Sequence, residues 1–332
     1  MAALLLAGCA HLETRSEIAR QNQHLPPPPT VVKPVPRPAE MSPPALPPPG
    51  PPPTPQLSNT GLPGPVPATP NAPAVPLPQR ILPKIGLILG PGSMKAYAEL
   101  GVLEAFEKAR IPIRALVGME WGALVAASYS LHGKAFDAEW KMLKLTQRDI
   151  PSPGFLSRRL EPENISVMHR YLYQTFRDRS VESGTIPFSC LAENIHTGGV
   201  LWLRSGSYYS ALERCLPFPP YFKPNKGWIP GIFHLRAQAA ELRRQGINLV
   251  IYVNVLDQNV VNDRSLVSPS TALLWLGLQN SVQADRQIFD EVINVPTGGY
   301  GLTDFAARRN LLRSGVRAGR IAAHYLQQKY GL

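Results

Sequence analysis

Gly118-Met119-Glu120-Trp121-Gly122 stands between an apolar run, Ile113 to Val117, and the stretch Ala123-Leu124-Val125-Ala126-Ala127-Ser128-Tyr129. The short run reads as a buried strand and the longer stretch as a helix. Strand, sharp turn and helix are the setting of a nucleophile elbow, G-x-S-x-G, whose glycines leave room for a tight turn and a close helix crossing. Here the centre is Glu120. Upstream, Lys84-Ile85-Gly86-Leu87-Ile88-Leu89 reads as another strand and Gly90-Pro91-Gly92-Ser93-Met94-Lys95 as a turn. Ala98, Leu100, Val102, Leu103 and Phe106 then recur at helical spacing through about Arg110. Backbone N–H groups gathered at such a helix start hold an anion or an oxyanion. Taken alone, the two-glycine turn is equally a structural βα turn.

Downstream the same alternation continues. Glu163 to Phe176 reads as a helix, and Phe188 to Ile195 and Gly199 to Leu203 as two strands joined by His196-Thr197-Gly198. Cys215-Leu216-Pro217-Phe218-Pro219-Pro220-Tyr221-Phe222 precedes Gly227-Trp228-Ile229-Pro230-Gly231. A helix from Leu235 to Gln245, the stop Gly246 and a strand from Ile247 to Val255 follow. Ala272 to Phe289 reads as a helix, Val292 to Val295 as a strand, and about Asp304 to Lys329 as the last helix. Arg309, Arg313, Arg317 and Arg320 fall on one face of it, either a solvated face or a contact with lipid phosphates.

The stretch from Ile85 to Leu131 resembles the start of a patatin-like phospholipase domain. In that family a Gly-Gly-Gly-x-Arg/Lys-Gly turn makes the oxyanion hole, a Gly-Val-Leu helix follows, and Gly-x-Ser-x-Gly-Ala presents the nucleophile. This chain has Gly90, Gly92 and Lys95 in the turn beside Ser93, then Gly101-Val102-Leu103, then Gly118, Gly122 and Ala123 in the elbow. It departs at Pro91, Ala96 and Glu120. The family's partner aspartate, in Asp-Gly-Gly/Ala, aligns with Pro230, to within a residue or so. The resemblance implies a three-layer α/β/α sandwich with a mainly parallel sheet over residues 84–332. It also implies lipid acyl hydrolase activity for intact members. Serine attack needs a hydroxyl and a base within hydrogen-bond reach. A carboxyl at Glu120 and a ring without a transferable proton at Pro230 exclude that mechanism at these positions. Replacements within the chain are His132, His234, Asp257, Asp263 and the turn residue Ser93, each more simply a surface, capping or turn residue.

Composition divides the chain. Of 37 prolines, 24 precede residue 84. Residues 10–83 are therefore expected to form a disordered, polyproline-rich linker, and 84–332 the folded domain. Leu6-Ala7-Gly8-Cys9 resembles the lipobox of bacterial lipoproteins, with residues 1–9 a signal remnant and Cys9 the acylated residue. The stretch before it lacks Lys and Arg, unlike an export signal. With Ala10 next, the resemblance implies an outer-membrane lipoprotein facing the periplasm. Cys190 and Cys215 have no metal-ligand spacing; in an oxidising periplasm a pair between them is open, nothing in the sequence decides it, and two buried free thiols are the favoured reading. The net charge of +11 fits either general solubility or attraction to an anionic membrane, with nucleic acid the weaker partner because no nucleic-acid signature accompanies it. No apolar run reaches about 18 residues, which excludes a membrane-spanning helix. No metal or cofactor is expected.

Three functional readings follow. The first, favoured by Glu120 and Pro230 together, is a lipid- or protein-binding pseudoenzyme. The second is an acyl hydrolase with displaced catalytic groups. The third is a structural envelope lipoprotein whose domain is a docking platform for a protein partner.

Overall fold

The computed structural model describes residues 82–153, 160–256 and 267–332. Cys9, the linker as far as residue 81, and Asp257 and Asp263 lie outside the described residues.

Among the described residues seven strands form the sheet: β1 Ile85–Leu89, β2 Ile113–Gly118, β3 Phe188–Asn194, β4 Val200–Leu203, β5 Trp228–Pro230, β6 Leu249–Asn254 and β7 Glu291–Asn294. The order is β4-β3-β2-β1-β6-β7, with β5 also paired to β3. The β3–β2, β2–β1, β1–β6 and β6–β7 pairs are parallel, and β4 and β5 run antiparallel to β3. Every residue of β1 is buried, because helices cover both faces of a central parallel strand.

The helices are α1 Tyr97–Lys108, α2 Trp121–Ser130, α3 Ala135–Leu143, α4 His169–Phe176, α5 Tyr208–Cys215, α6 Leu235–Arg244, α7 Pro269–Ala284 and α8 Arg308–Tyr330. Alternate strand residues sort them into two layers. Ile85, Leu87 and Leu89 share a core with α1, α2 and α8. Ile88, Val250 and Tyr252 share the other with α6 and α7. The result is the three-layer α/β/α sandwich. α1 crosses α8 at backbone contact: a Cβ on Gly315 would lie 1.7 Å from the Ala98 carbonyl oxygen.

Several expectations are corrected. Cys190 and Cys215 are not free thiols but a disulfide, with Cα atoms 6.2 Å apart. The last residue of α5 is brought against β3, within bridging distance. The helix expected from Glu163 is a 3-10 turn, Ile165–Met168, followed by α4. Its start is set by Asn164, whose side chain accepts from the Ser166 N–H at 2.9 Å. α7 starts earlier than the apolar pattern suggests, because Ser268 caps it and Pro269 opens it, and it ends at Ala284. A separate 3-10 turn spans Arg286–Ile288. β6 begins at Leu249 instead of Ile247, and α8 at Arg308, after a short turn capped by Asp304.

Candidate functional site

β1 and β2 are neighbours, and their register pairs Leu89 with Gly118. The turns that leave the two strands therefore emerge side by side at the carboxyl edge of the sheet, where sites in open α/β folds gather. The first turn, Gly90 to Gly92, runs into a 3-10 turn, Ser93–Ala96, and then α1. The second is Met119-Glu120, from which α2 starts. Glu120 holds φ 53° and ψ −126°, and Ser93 holds φ 52°. Left-handed φ values cost a non-glycine residue energy and persist only where surroundings impose them. The Met119 N–H bonds the Leu89 carbonyl and the Glu120 N–H bonds the Cys215 carbonyl, both at 3.0 Å. Gly122 has no alternative: a Cβ there would lie 2.4 Å from the Gly90 carbonyl oxygen.

The Glu120 side chain turns onto the first loop. Its Oε2 accepts the N–H of Gly92 at 3.0 Å and of Ser93 at 2.8 Å. The residue is fully buried. Burial pushes its pKa up to about 8, against the N–H groups of Trp121, Gly92 and Ser93, which favour the charged form. At neutral pH the group is thus largely a carboxylic acid whose oxygen fills the paired donors of the turn.

A second acid, Glu99 of α1, is fully buried beside it. Burial raises its pKa well above the ordinary value, and the charge of Glu120 adds to this. The Gly90 N–H opposes the shift without meeting hydrogen-bond geometry. Among the described residues, Glu120 Oε1, both Glu99 oxygens, Ser93 Oγ, Trp121 Nε1 and the Tyr252 hydroxyl make no hydrogen bond. Glu99 and Tyr252 were not singled out from sequence. The only signal for Glu99 is an acid inside the apolar run of α1.

The structure brings Gly90, Gly92, Ser93, Lys95, Gly118, Glu120 and Gly122 onto the two adjacent turns, with Lys95 buried. Pro230 closes β5, paired with Ala192 of β3. The other sequence candidates are placed elsewhere. His234 is bonded to the Glu193 carboxylate at 3.0 Å. His132 is exposed beyond the far end of the ten-residue α2, roughly 15 Å along the axis from Glu120. Arg309, Arg313, Arg317 and Arg320 are exposed on α8, outside this cluster. A cavity of about 590 Å³ has Leu160, Tyr221 and Thr303 in its wall, and Tyr221 packs on the Trp121 ring at 5.6 Å. The described residues hold no cluster of acids, histidines and cysteines suited to a metal ion.

Comparison with known proteins adds three findings. Residues 87–227 match the family model described as patatin-like phospholipase. A 213-residue stretch is 24% identical to "Lysophospholipase NTE1" of Kluyveromyces lactis, covering 58% of this chain and 14% of that protein. A 163-residue stretch is 30% identical to "Neuropathy target esterase sws" of Drosophila virilis and 29% to its Drosophila melanogaster counterpart, covering 43% of this chain and 10% and 11% of theirs. The chain thus spans only a tenth to a seventh of the length of these relatives.

Proposed function

We propose, for a chain that belongs to the patatin-like phospholipase family, a binding role in place of serine hydrolysis. The observation that carries this is the Glu120 carboxyl seated on the Gly92 and Ser93 N–H groups. Donors that would receive a developing oxyanion are filled by the protein's own side chain, and the position of the attacking hydroxyl is the same residue. Pro230, aligned with the base, offers no proton acceptor. The relatives are named as a lysophospholipase and an esterase, so the ligand expected at this domain is a lipid with an ester-linked chain.

The proposal includes a tether: acylation at Cys9, the linker of residues 10–83, and residence at the periplasmic face of an outer membrane. Its support is the Leu6-Ala7-Gly8-Cys9 sequence and the proline content that follows it.

The test is acyl release by the full chain carrying Cys9→Ser, offered a lysophospholipid and a short-chain ester, with products read by mass spectrometry. The expected result is no release above blank from this chain or from Glu120→Ala. Release that Glu120→Ala abolishes would make the carboxyl a nucleophile and overturn the reading. Glu120→Ser combined with Pro230→Asp is expected to gain measurable release, since it restores both groups to a scaffold that still carries the turn. For the tether, wild-type chain is expected in the membrane fraction with a diacylglyceryl mass on Cys9, and Cys9→Ser in the soluble fraction.

A further inference from the structure

The described surface has one region where unpaired positive charge and exposed apolar side chains lie together. Arg309, Arg313, Arg317 and Arg320 are exposed on α8. None has an acidic partner within ion-pair distance among the described residues. Among the described residues Arg313 bonds only the Asn310 side chain. Beside the row, on the same helix, Ile321 is 74% and Tyr325 46% exposed.

With Arg317, these two form one wall of a groove of about 520 Å³ between α8 and β7. The other polar side chains of the groove are already engaged. Glu291 is held by Lys329 and by the Tyr330 hydroxyl, each at 2.7 Å. Asn294 accepts from Asn254 at 2.9 Å, and the Ser314 hydroxyl donates to the Pro296 carbonyl at 2.6 Å. The walls are left apolar, with a cation at the rim.

On the other flank of the row, Glu139 and Leu143 of α3 meet Arg309 and Arg313 around a second cavity. α3 also presents Phe136, 75% exposed, and Trp140, 59% exposed, with the Lys144 ammonium 5.4 Å from the Trp140 ring. A basic helix face flanked by exposed aromatic and aliphatic side chains is the pattern that lies in a membrane interface, where tryptophan is enriched and each basic residue adds attraction to anionic lipid.

β7 is the edge of the sheet, so an added peptide strand is the competing occupant. It has four residues, and Pro296 follows two residues after its end, which are devices that blunt strand addition. Charge complementarity favours the lipid.

We infer that this face, the α8 arginine row with the α8–β7 groove and the α3 aromatics on its flanks, docks on an anionic phospholipid bilayer. The arginines meet headgroup phosphates, and Phe136, Trp140 and Ile321 enter the upper acyl region. The inference is independent of the chemistry at Glu120, because none of these residues takes part in holding that side chain.

The test uses the full chain carrying Cys9→Ser, so that no acyl anchor contributes. It is sedimented with equimolar phosphatidylglycerol–phosphatidylcholine vesicles, with pure phosphatidylcholine vesicles, and in parallel titrated with a short DNA duplex. The expected result is binding to the anionic vesicles alone, weakening with salt. Arg313→Glu/Arg317→Glu/Arg320→Glu is expected to lower vesicle partitioning by about a hundredfold or more, from the contribution of each basic residue near a charged membrane. Its melting temperature is expected to stay unchanged, since the three side chains are exposed. If the triple reversal does not fold, the corresponding Arg→Gln triple serves, with a smaller loss expected. Ile321→Ser is expected to weaken partitioning without altering salt dependence, since it removes apolar contact and no charge. All variants share the same linker, so a difference between them belongs to α8. Partitioning of a folded triple variant equal to the parent, absence of binding to anionic vesicles, or tight binding to the duplex with none to vesicles would each overturn the inference.

Discussion

Glu120 combines a strained backbone with a buried acid, and the two are linked. The left-handed φ of 53° is the shape that an elbow needs to lift one side chain over the neighbouring turn. A carboxyl placed there reaches the Gly92 and Ser93 N–H groups, which otherwise would be buried without partners. Leaving buried donors unpaired costs about 1–3 kcal/mol. Glu120→Ala is therefore expected to destabilise the domain by roughly that amount, whereas Glu120→Gln, which keeps a carbonyl acceptor, should lose less. Thermal unfolding of the two variants checks this. An unchanged melting temperature for Glu120→Ala would sink the claim that the side chain serves the turn. At this scale the sequence was informative because a motif names its positions. Glycines at 90, 92, 118 and 122 mark where backbones must turn or touch, and the residue between the last two is conspicuous when it is an acid. Glu99 and Tyr252 were not legible, because no local pattern separates an acid at a buried helix position from one on the surface.

Elements were legible where their periodicity was strong and unmixed. β1 and α2 are nearly pure apolar runs buried throughout, β2 is one after Arg114, and α1 repeats its apolar residues at helical spacing between its acids. Elements governed by a cap were misjudged at their ends. Asn164, Ser268 and Asp304 each start a turn through a side-chain oxygen, and apolar spacing carries no record of that. The disulfide escaped as well, since a 25-residue separation says nothing about whether α5 is folded back on β3. The α1–α8 crossing is a further case: Gly315 looks like a mild helix weakener in sequence, yet its missing side chain is what lets the two helices meet. A Cβ there would sit 1.7 Å from the Ala98 carbonyl oxygen, and backbone cannot yield as a flexible side chain does. Gly315→Ala is thus expected to destabilise the domain by about 1–3 kcal/mol or more, although alanine has the higher helix propensity. Denaturant unfolding decides it: equal or greater stability would show that the helices can part without cost.

Across the whole molecule the α/β/α architecture was implied by the family resemblance, whose motifs sit on alternating strand and helix patterns, while the balance of charge between surface and interior was not legible. Among the described residues two acids are fully buried, Glu120 on the second turn and Glu99 in the first turn of α1, and both shifts run in the same direction. Burial raises Glu120 from an ordinary value near 4.5 to about 8, and Glu99 rises for the same reason. An acid whose pKa is raised in the fold binds its proton more tightly folded than unfolded. Its contribution is fully present below the unfolded value and is lost as pH rises through the folded one. Asp149 and Glu241 have the opposite sign. Burial raises them, but Thr146 and Arg170 outweigh it for Asp149, and Arg244, Gln245 and Arg204 for Glu241. Their contribution is present above the ordinary carboxylate range and lost as pH falls below it. The two sets leave a stability maximum near the ordinary carboxylate range and a decline from about pH 5 upward, at most about 1.4 kcal/mol per pH unit for each buried acid, with the Glu120 share complete by about pH 8. Melting temperature measured from pH 5 to 9 should therefore fall on the alkaline side. Glu120→Gln removes one titrating group while keeping the turn's acceptor, so its profile should fall less steeply between about pH 5 and 8. A flat profile in the parent, or an identical slope in the variant, would mean that Glu120 is already ionised in the fold. The Gly92 and Ser93 N–H groups would then be held by a charged carboxylate instead of a neutral acid.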